Sequence, residues 1–324
     1  MKNCKYLLAS FAATLFFFQP CSAQDTQVRF GADVPFDVQL IYDRGLDWLA
    51  SHQSPEGGWN EGDVGPGITG MCVMAFLASG EDPNFGPYRD HIRRAIRNMI
   101  RTQGEATGFF GDGGHGSMYH HGFAMLGMSE VYGVLDEDSL WDGDTNTEGR
   151  RSIGASLELA VRATITSQKN NQWNAWRYSP EASDADTSVS GAVLMGLLAA
   201  RNAGIKVPDD GIDNALEYFR SMTTNRGEVG YSGIGGGGSN NLKSIAALVF
   251  AIGKRKNLAE YKAVLERVVG ECDRTMDILV RRGLAPRSWQ AEESRTRMSK
   301  VLLKRRLVVL RDLPRCESVL RCER

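Results

Sequence analysis

The sequence predicts an all-α fold: an α/α toroid of repeated helical hairpins that remains an incomplete, open ring, with an atypical basic C-terminal tail. Three observations predict it. One phrase recurs four times with drift, in which an amphipathic helix ends at a Gln, a Gly/aromatic turn follows, and an apolar helix comes next. The two helices of each copy differ, the first being apolar on one stripe and the second apolar all round and rich in Ala, Gly and Met, the pattern of a helix buried on every side. With 324 residues, 42% hydrophobic and 24% charged, the chain can bury the core that such a stack needs, which excludes disorder and collagen-like structure.

The first copy runs from Arg44-Gly45 through Trp48 to Gln53, turns at Gly57-Gly58-Trp59, and continues in the apolar run Ile68 to Ala78. In the second, Ile92, Ile96, Met99 and Ile100 share one face and arginines the other, which reads as a wet face. Gln103, Gly108-Phe109-Phe110 and the run His121 to Tyr132 complete it. The third ends its first helix at Gln168, turns through Trp173, Trp176 and Tyr178, and restarts at Asp186-Thr187-Ser188 before Val189 to Ala200. The fourth is degenerate: it runs from Val207-Pro208 to Phe219, has Thr223 at the Gln position, and restarts near Asn240. A fifth first helix is expected from Tyr261 to Val269, after which the grammar stops. A hairpin of this kind cannot bury its inner helix alone, so neighbours must stack.

Three segments differ in charge and role. Residues 1–23 pair Lys2 and Lys5 with the apolar run Tyr6 to Phe18 and the small residues Cys21-Ser22-Ala23, the pattern of a secretory signal peptide cleaved before Gln24. The expectation is an exported protein, periplasmic or extracellular, without a transmembrane segment. Residues 24–280, the repeat domain, carry 23 Lys and Arg against 34 Asp and Glu, and the tail 281–324 carries 13 against 5. A net charge of −1 gives no electrostatic reason to expect nucleic acid as a partner. Of the cysteines left after cleavage, Cys72 reads as a small core hydrophobe, and Cys316 and Cys322 are free to pair or not.

Arg44-Gly45, Trp48, Gln53 and Gly58-Trp59 resemble the Q-W motif of the squalene cyclase and protein prenyltransferase superfamily. Tyr119-His120-His121-Gly122 through Gly133, and Trp176-Arg177-Tyr178-Ser179-Pro180 followed by Asp184 to Gly191, resemble exported bacterial proteins with prenyltransferase/squalene oxidase repeats. The resemblance covers roughly residues 40–255 and implies the toroid fold. Asp184-Ala185-Asp186-Thr187 is similar to the Asp-X-Asp-Asp acid motif of terpene cyclases, with Thr187 where that family has Asp. On the residues alone, Asp186 reads first as an N-cap, Asp184 as the freer carboxylate, and His121 as a cavity-facing base or a hydrogen-bonded core residue. Thr69, His120, Asn240 and Asn241 are placed at the same mouth, where the inner helices start. Asp184, Asp186 and His121 are therefore the candidate catalytic residues. No metal or cofactor is expected: no Cys follows the Asp-Thr-Ser start, Cys72 lies in another copy, and no phosphate loop or paired-cysteine spacing occurs. The functional expectation is an exported repeat protein whose central cavity binds an apolar or polymeric ligand, or a protein, with no assured catalysis. The rival is a squalene-type cyclase using Asp184 and Asp186 as acid.

Overall fold

The computed structural model describes residues 36–59, 65–111 and 116–282. Residues 1–23, where a signal peptide is expected, His115, and the basic tail beyond residue 282 with Cys316 and Cys322 lie outside the described residues. Every regular element among the described residues is a helix: α1 (Phe36–Ser51), α2 (Pro66–Leu77), α3 (Arg89–Thr102), α4 (Ser117–Val131), α5 (Ile153–Asn170), α6 (Thr187–Asn202), α7 (Asp209–Ser221), α8 (Asn240–Ile252) and α9 (Ala259–Arg281). The chain divides into two units, one ending at Gly45 and one beginning at Leu46. In the first, residues 36–45 are helical; the second carries α2–α9.

The even-numbered helices from α2 to α8, the second helices of the hairpins and here called inner, each pack on the next, and the first helices α3, α5, α7 and α9, here called outer, pack against them. Glycines set the inner contacts. A Cβ on Gly70 would collide with the Phe123 carbonyl, one on Gly127 would lie 2.7 Å from Gly70 Cα, one on Gly122 2.7 Å from the Ala192 carbonyl, and one on Gly196 2.7 Å from Gly122 O. Larger residues at these positions would force the backbones apart. Because Gly67 and Gly70 of α2 meet His120 and Phe123 of α4 in ascending order, and Gly122 and Met125 of α4 meet Ala192 and Gly196 of α6 likewise, these helices run parallel. The expectation of burial on every side needs correction. Tyr119, Phe123 and Leu126 of α4, Met195 of α6, and Ile245 and Leu248 of α8 remain half-buried, so each of these helices leaves one stripe partly open.

The Gln-turn-aromatic phrase joins one copy to the next. Gln53 Nε2 donates to Gly57 O in its own turn (2.9 Å) and to His91 O in α3 (2.8 Å). Gln103 Nε2 donates to Gly108 O and to Ser156 O in α5, both 2.9 Å. Gln168 Nε2 donates to Asn174 O (2.9 Å) and to Gly211 O in α7 (2.8 Å). Each amide thus ties a turn carbonyl to a carbonyl in the first turns of the next outer helix. The turn residue is left-handed in every copy: Gly57, Gly108, Asn174 and Gly227 have φ of 96°, 78°, 53° and 76°. Two residues on, Trp59, Phe110, Trp176 and Val229 are buried. Where the residue is Trp, its indole N–H donates back into the preceding helix, Trp59 to Leu49 O (2.8 Å) and Trp176 to Thr164 O (3.2 Å). In the fourth copy Thr223 is too short to bridge and bonds Phe219 O of its own helix (2.7 Å). The turn still docks on α9, because a Cβ on Gly227 would strike Ala263 O, and Arg267 Nε reaches Arg226 O (3.0 Å).

Two further expectations change. The arginine face of α3 is covered: Arg93 bonds Ser139 Oγ (2.9 Å), Arg97 Nε the Leu140 carbonyl (2.5 Å), and Arg101 both Asp144 (2.9 Å) and Asn146 O (2.8 Å). The segment between α4 and α5 therefore lies along it, with the Trp141 ring 5.1 Å from Arg101 and 5.5 Å from Arg150. Helical periodicity alone cannot tell solvent from an arginine-bound loop. The fifth outer helix is longer than 261–269, running to Arg281 as α9 and burying Tyr261 and Val264.

Replacing Gln103 or Gln168 with Leu orphans two carbonyl contacts at once and is expected to cost about 2 kcal/mol in urea unfolding. Thr223→Val removes only a bond within one helix and is expected to cost under about 1 kcal/mol. Equal losses at Gln168 and Thr223 would contradict the bridging role.

Candidate functional site

The start of α6 is assembled from three segments. Asp186 caps the helix: its Oδ1 accepts from Ser188 N and Val189 N, both 2.9 Å, and from Ser188 Oγ at 2.6 Å. Its side chain is fully buried, and Oδ2 has no hydrogen-bond partner. The neighbouring Thr187 ties α6 to the following turn, with N donating to Tyr231 O (2.9 Å) and Oγ1 to Gly230 O (2.6 Å). Ser190 exchanges bonds with the Trp176 backbone, both 3.0 Å.

The three candidate catalytic residues take different places. Asp184 is 58% exposed and paired with Arg177 at 2.8 Å, and that guanidinium also lies over the Tyr178 and Tyr231 rings at 5.5 and 5.8 Å. Its charge is matched outside the helix that Asp186 caps. His121 is wholly enclosed, which corrects the cavity-facing expectation. Its Nδ1 accepts from Phe110 N (3.0 Å), so the proton of the neutral ring sits on Nε2 and is donated to Thr164 Oγ1 (2.7 Å), which in turn donates to Ala160 O (2.8 Å). Both ring nitrogens are spent on holding the turn of the second copy to α4 and α5. Burial pushes the imidazole down to about 3, a neutral core histidine at any physiological pH.

What opens to solvent beside the capped helix start is a groove of about 510 Å³. Phe123, Leu126, Ala192, Met195, Ile245 and Leu248 from α4, α6 and α8 form its apolar wall. Its polar groups, Tyr119, Ser188, Tyr231, Ser239 and Asn241, belong to the starts of these helices and the turn before α8. Tyr119 OH donates to Ser188 Oγ at 2.5 Å, and Tyr178 and Tyr231 share a hydroxyl contact of 2.5 Å. Burial lifts the Tyr119 hydroxyl above the usual phenol range, the Ser188 bond opposes this, and the charge of Asp186 adds to it. Burial, the bond to Tyr178 and the charge of Asp186 raise Tyr231 in the same way.

Tyr119, Ser188 and Tyr231 are the residues that reasoning from motifs passed over. Helical spacing carries the signal: Tyr119, Phe123 and Leu126 follow i, i+4, i+7, whereas His121 stands about 200° around the helix from Tyr119. Of the phenylalanines on these helices, Phe123 lines the groove, while Phe76 and Phe250 are fully buried. Cys72 is buried and burial raises its thiol to about 11, the state of a packing residue. Among the described residues no group of three or more His, Cys, Asp or Glu is arranged to hold a metal ion, and no helix is long and apolar enough to cross a membrane. Compared with protein-family models, curated proteins and solved structures, the chain has no match in any of the three.

The buried imidazole has a consequence for stability. His121 titrates near 6.5 when unfolded and near 3 when folded, so below about pH 6.5 the unfolded chain binds the extra proton. Stability should be fully present above that pH and fall as pH drops toward 3. The loss from this group should reach about 2 kcal/mol near roughly pH 5, read as a difference in urea unfolding between the wild type and His121→Gln. Identical pH dependence in both would show that His121 is not held neutral in the fold.

Proposed function

We propose that this is an exported helical-repeat protein, an open α/α toroid of the terpenoid cyclase/prenyltransferase-like class, that binds an apolar ligand along its inner helices without catalysing a reaction on it. The groove between α4, α6 and α8 carries this reading. It has the size of a small-molecule site, apolar walls, and a few polar groups confined to the helix starts and the turn before α8. The consecutive packing of α2, α4, α6 and α8 is compatible with an arc of hairpins.

The cyclase alternative requires a strong, available acid. Here Asp184 is neutralised by Arg177, and Asp186 commits one oxygen to the α6 cap. His121 holds the fold together instead of facing the groove. The same residues that suggest an acid are accounted for by helix initiation and packing.

The neutral dye N-phenylnaphthylamine, which brightens in apolar surroundings, should bind the purified mature protein saturably. Met195→Trp, which fills the groove from α6, should weaken that binding by at least about tenfold while the cooperative thermal transition persists. Absence of saturable binding, or equal affinity in the variant, would overturn the reading.

A further inference from the structure

The direction of the hydrogen bonds at the groove's polar end decides which head group fits there. Two backbone N–H groups, Ser188 N and Val189 N, converge on Asp186 Oδ1 and fix that oxygen as an acceptor. Ser188 Oγ, 2.6 Å away, must give it its only proton. Tyr119 OH, 2.5 Å from Ser188 Oγ, then finds a lone pair there and spends its own proton on it. The half-buried hydroxyls of Tyr119 and Ser188 are therefore left with lone pairs and no free proton. The Tyr231 and Tyr178 hydroxyls share one hydrogen bond in which either can donate, and with Tyr231 as the donor it too is left with lone pairs. Ser239 and Asn241 keep donors, but they are exposed, and a hydrogen bond made there replaces one to water at little net gain.

Charge points the same way. Asp186 is fully buried, makes no ion pair among the described residues, and has one oxygen without a hydrogen-bond partner, whereas the charge of Asp184 is matched by Arg177. Asp186 is thus balanced only by the α6 cap donors and not by a cation, and its charge adds to that felt by Tyr119 and Tyr231 at the groove. We infer that the groove selects amphiphiles whose head group donates hydrogen bonds, a hydroxyl or an ammonium on an apolar chain, and discriminates against chains that end in a carboxylate. The inference rests on reading the groove as a ligand site and adds the class of ligand.

The test is competition against N-phenylnaphthylamine by decanol, decylamine and decanoate at neutral pH, each below the concentration at which it forms micelles. Decanol and decylamine should displace the dye at concentrations at least about tenfold lower than decanoate, the effect of one well-made hydrogen bond plus charge repulsion. The order of decanol and decylamine separates the two donor types, with the amine ahead if the charge of Asp186 contributes. In Ser188→Ala, Tyr119 regains a proton to offer, so the ratio between decanoate and decanol should fall toward one. Should that variant not fold, Asp186→Asn keeps an N-cap oxygen for α6, removes the negative charge, and should lower the ratio likewise. Decanoate displacing the dye as well as decanol in the wild type overturns the head-group rule and leaves the groove reading standing. A ratio that neither variant alters also overturns it. Failure of the wild type to bind the dye overturns both.

Discussion

The backbone contacts at Gly70, Gly122, Gly127 and Gly196 are the constraint on which the rest of the structure depends. They let α2, α4 and α6 approach until a single methyl group at the contact points would meet a carbonyl or a Cα. With the inner backbones this close, the long side chains have two places to go. Met118, Met125, Met128 and Leu194 fill the interior, fully buried. Tyr119, Phe123, Leu126 and Met195 form the stripe that remains half open. The groove is thus the remainder of a packing solution whose other faces are consumed, and its apolar character follows from the composition of helices built to be buried.

The outer helices are held by polar contacts. Gln53, Gln103 and Gln168 each place one amide between a turn and the next outer helix, so a copy is fixed to its successor by hydrogen bonds that only a long, uncharged donor can make in a buried site. His121 belongs to this system, since its ring joins the Phe110 turn to Thr164 of α5. Asp186 does as well, since its capping of α6 orients Ser188, and through Ser188 the Tyr119 hydroxyl at the groove. The residues that most resemble catalytic machinery are those that bind the repeats together. Their influence on a ligand passes through the hydrogen-bond direction they impose on neighbours.

The helical architecture was legible because it depends on periodicity, and periodicity survives drift. The helix-end, left-handed turn and buried positions keep their order even where Asn174 replaces Gly, Thr223 replaces Gln and Val229 replaces the aromatic ring. Asp186 as a cap was legible for the same reason, since Asp-Thr-Ser before an apolar run is local chemistry. Three things were not. The arginines of α3 carry the pattern of a solvated face, and only the fold brings Leu140 and Asp144 across it. His121 drew attention by residue type, when its position around α4 relative to Tyr119 places it away from the groove. Tyr231 reaches the groove from a turn far along the chain, and no spacing rule connects it to Tyr119.

The central claim is that the half-open stripe of the inner helices, and no other apolar surface, receives the ligand. Methyl-labelled NMR of the mature protein with bound decanol tests this most directly. Contacts from the alkyl chain should appear at the methyl groups of Met195, Ile245, Leu248 and Leu126, and not at the buried Met125 and Met128. Contacts concentrated instead at Met71, which is exposed on α2, or at Ile278 on α9, would place the ligand elsewhere and contradict the claim.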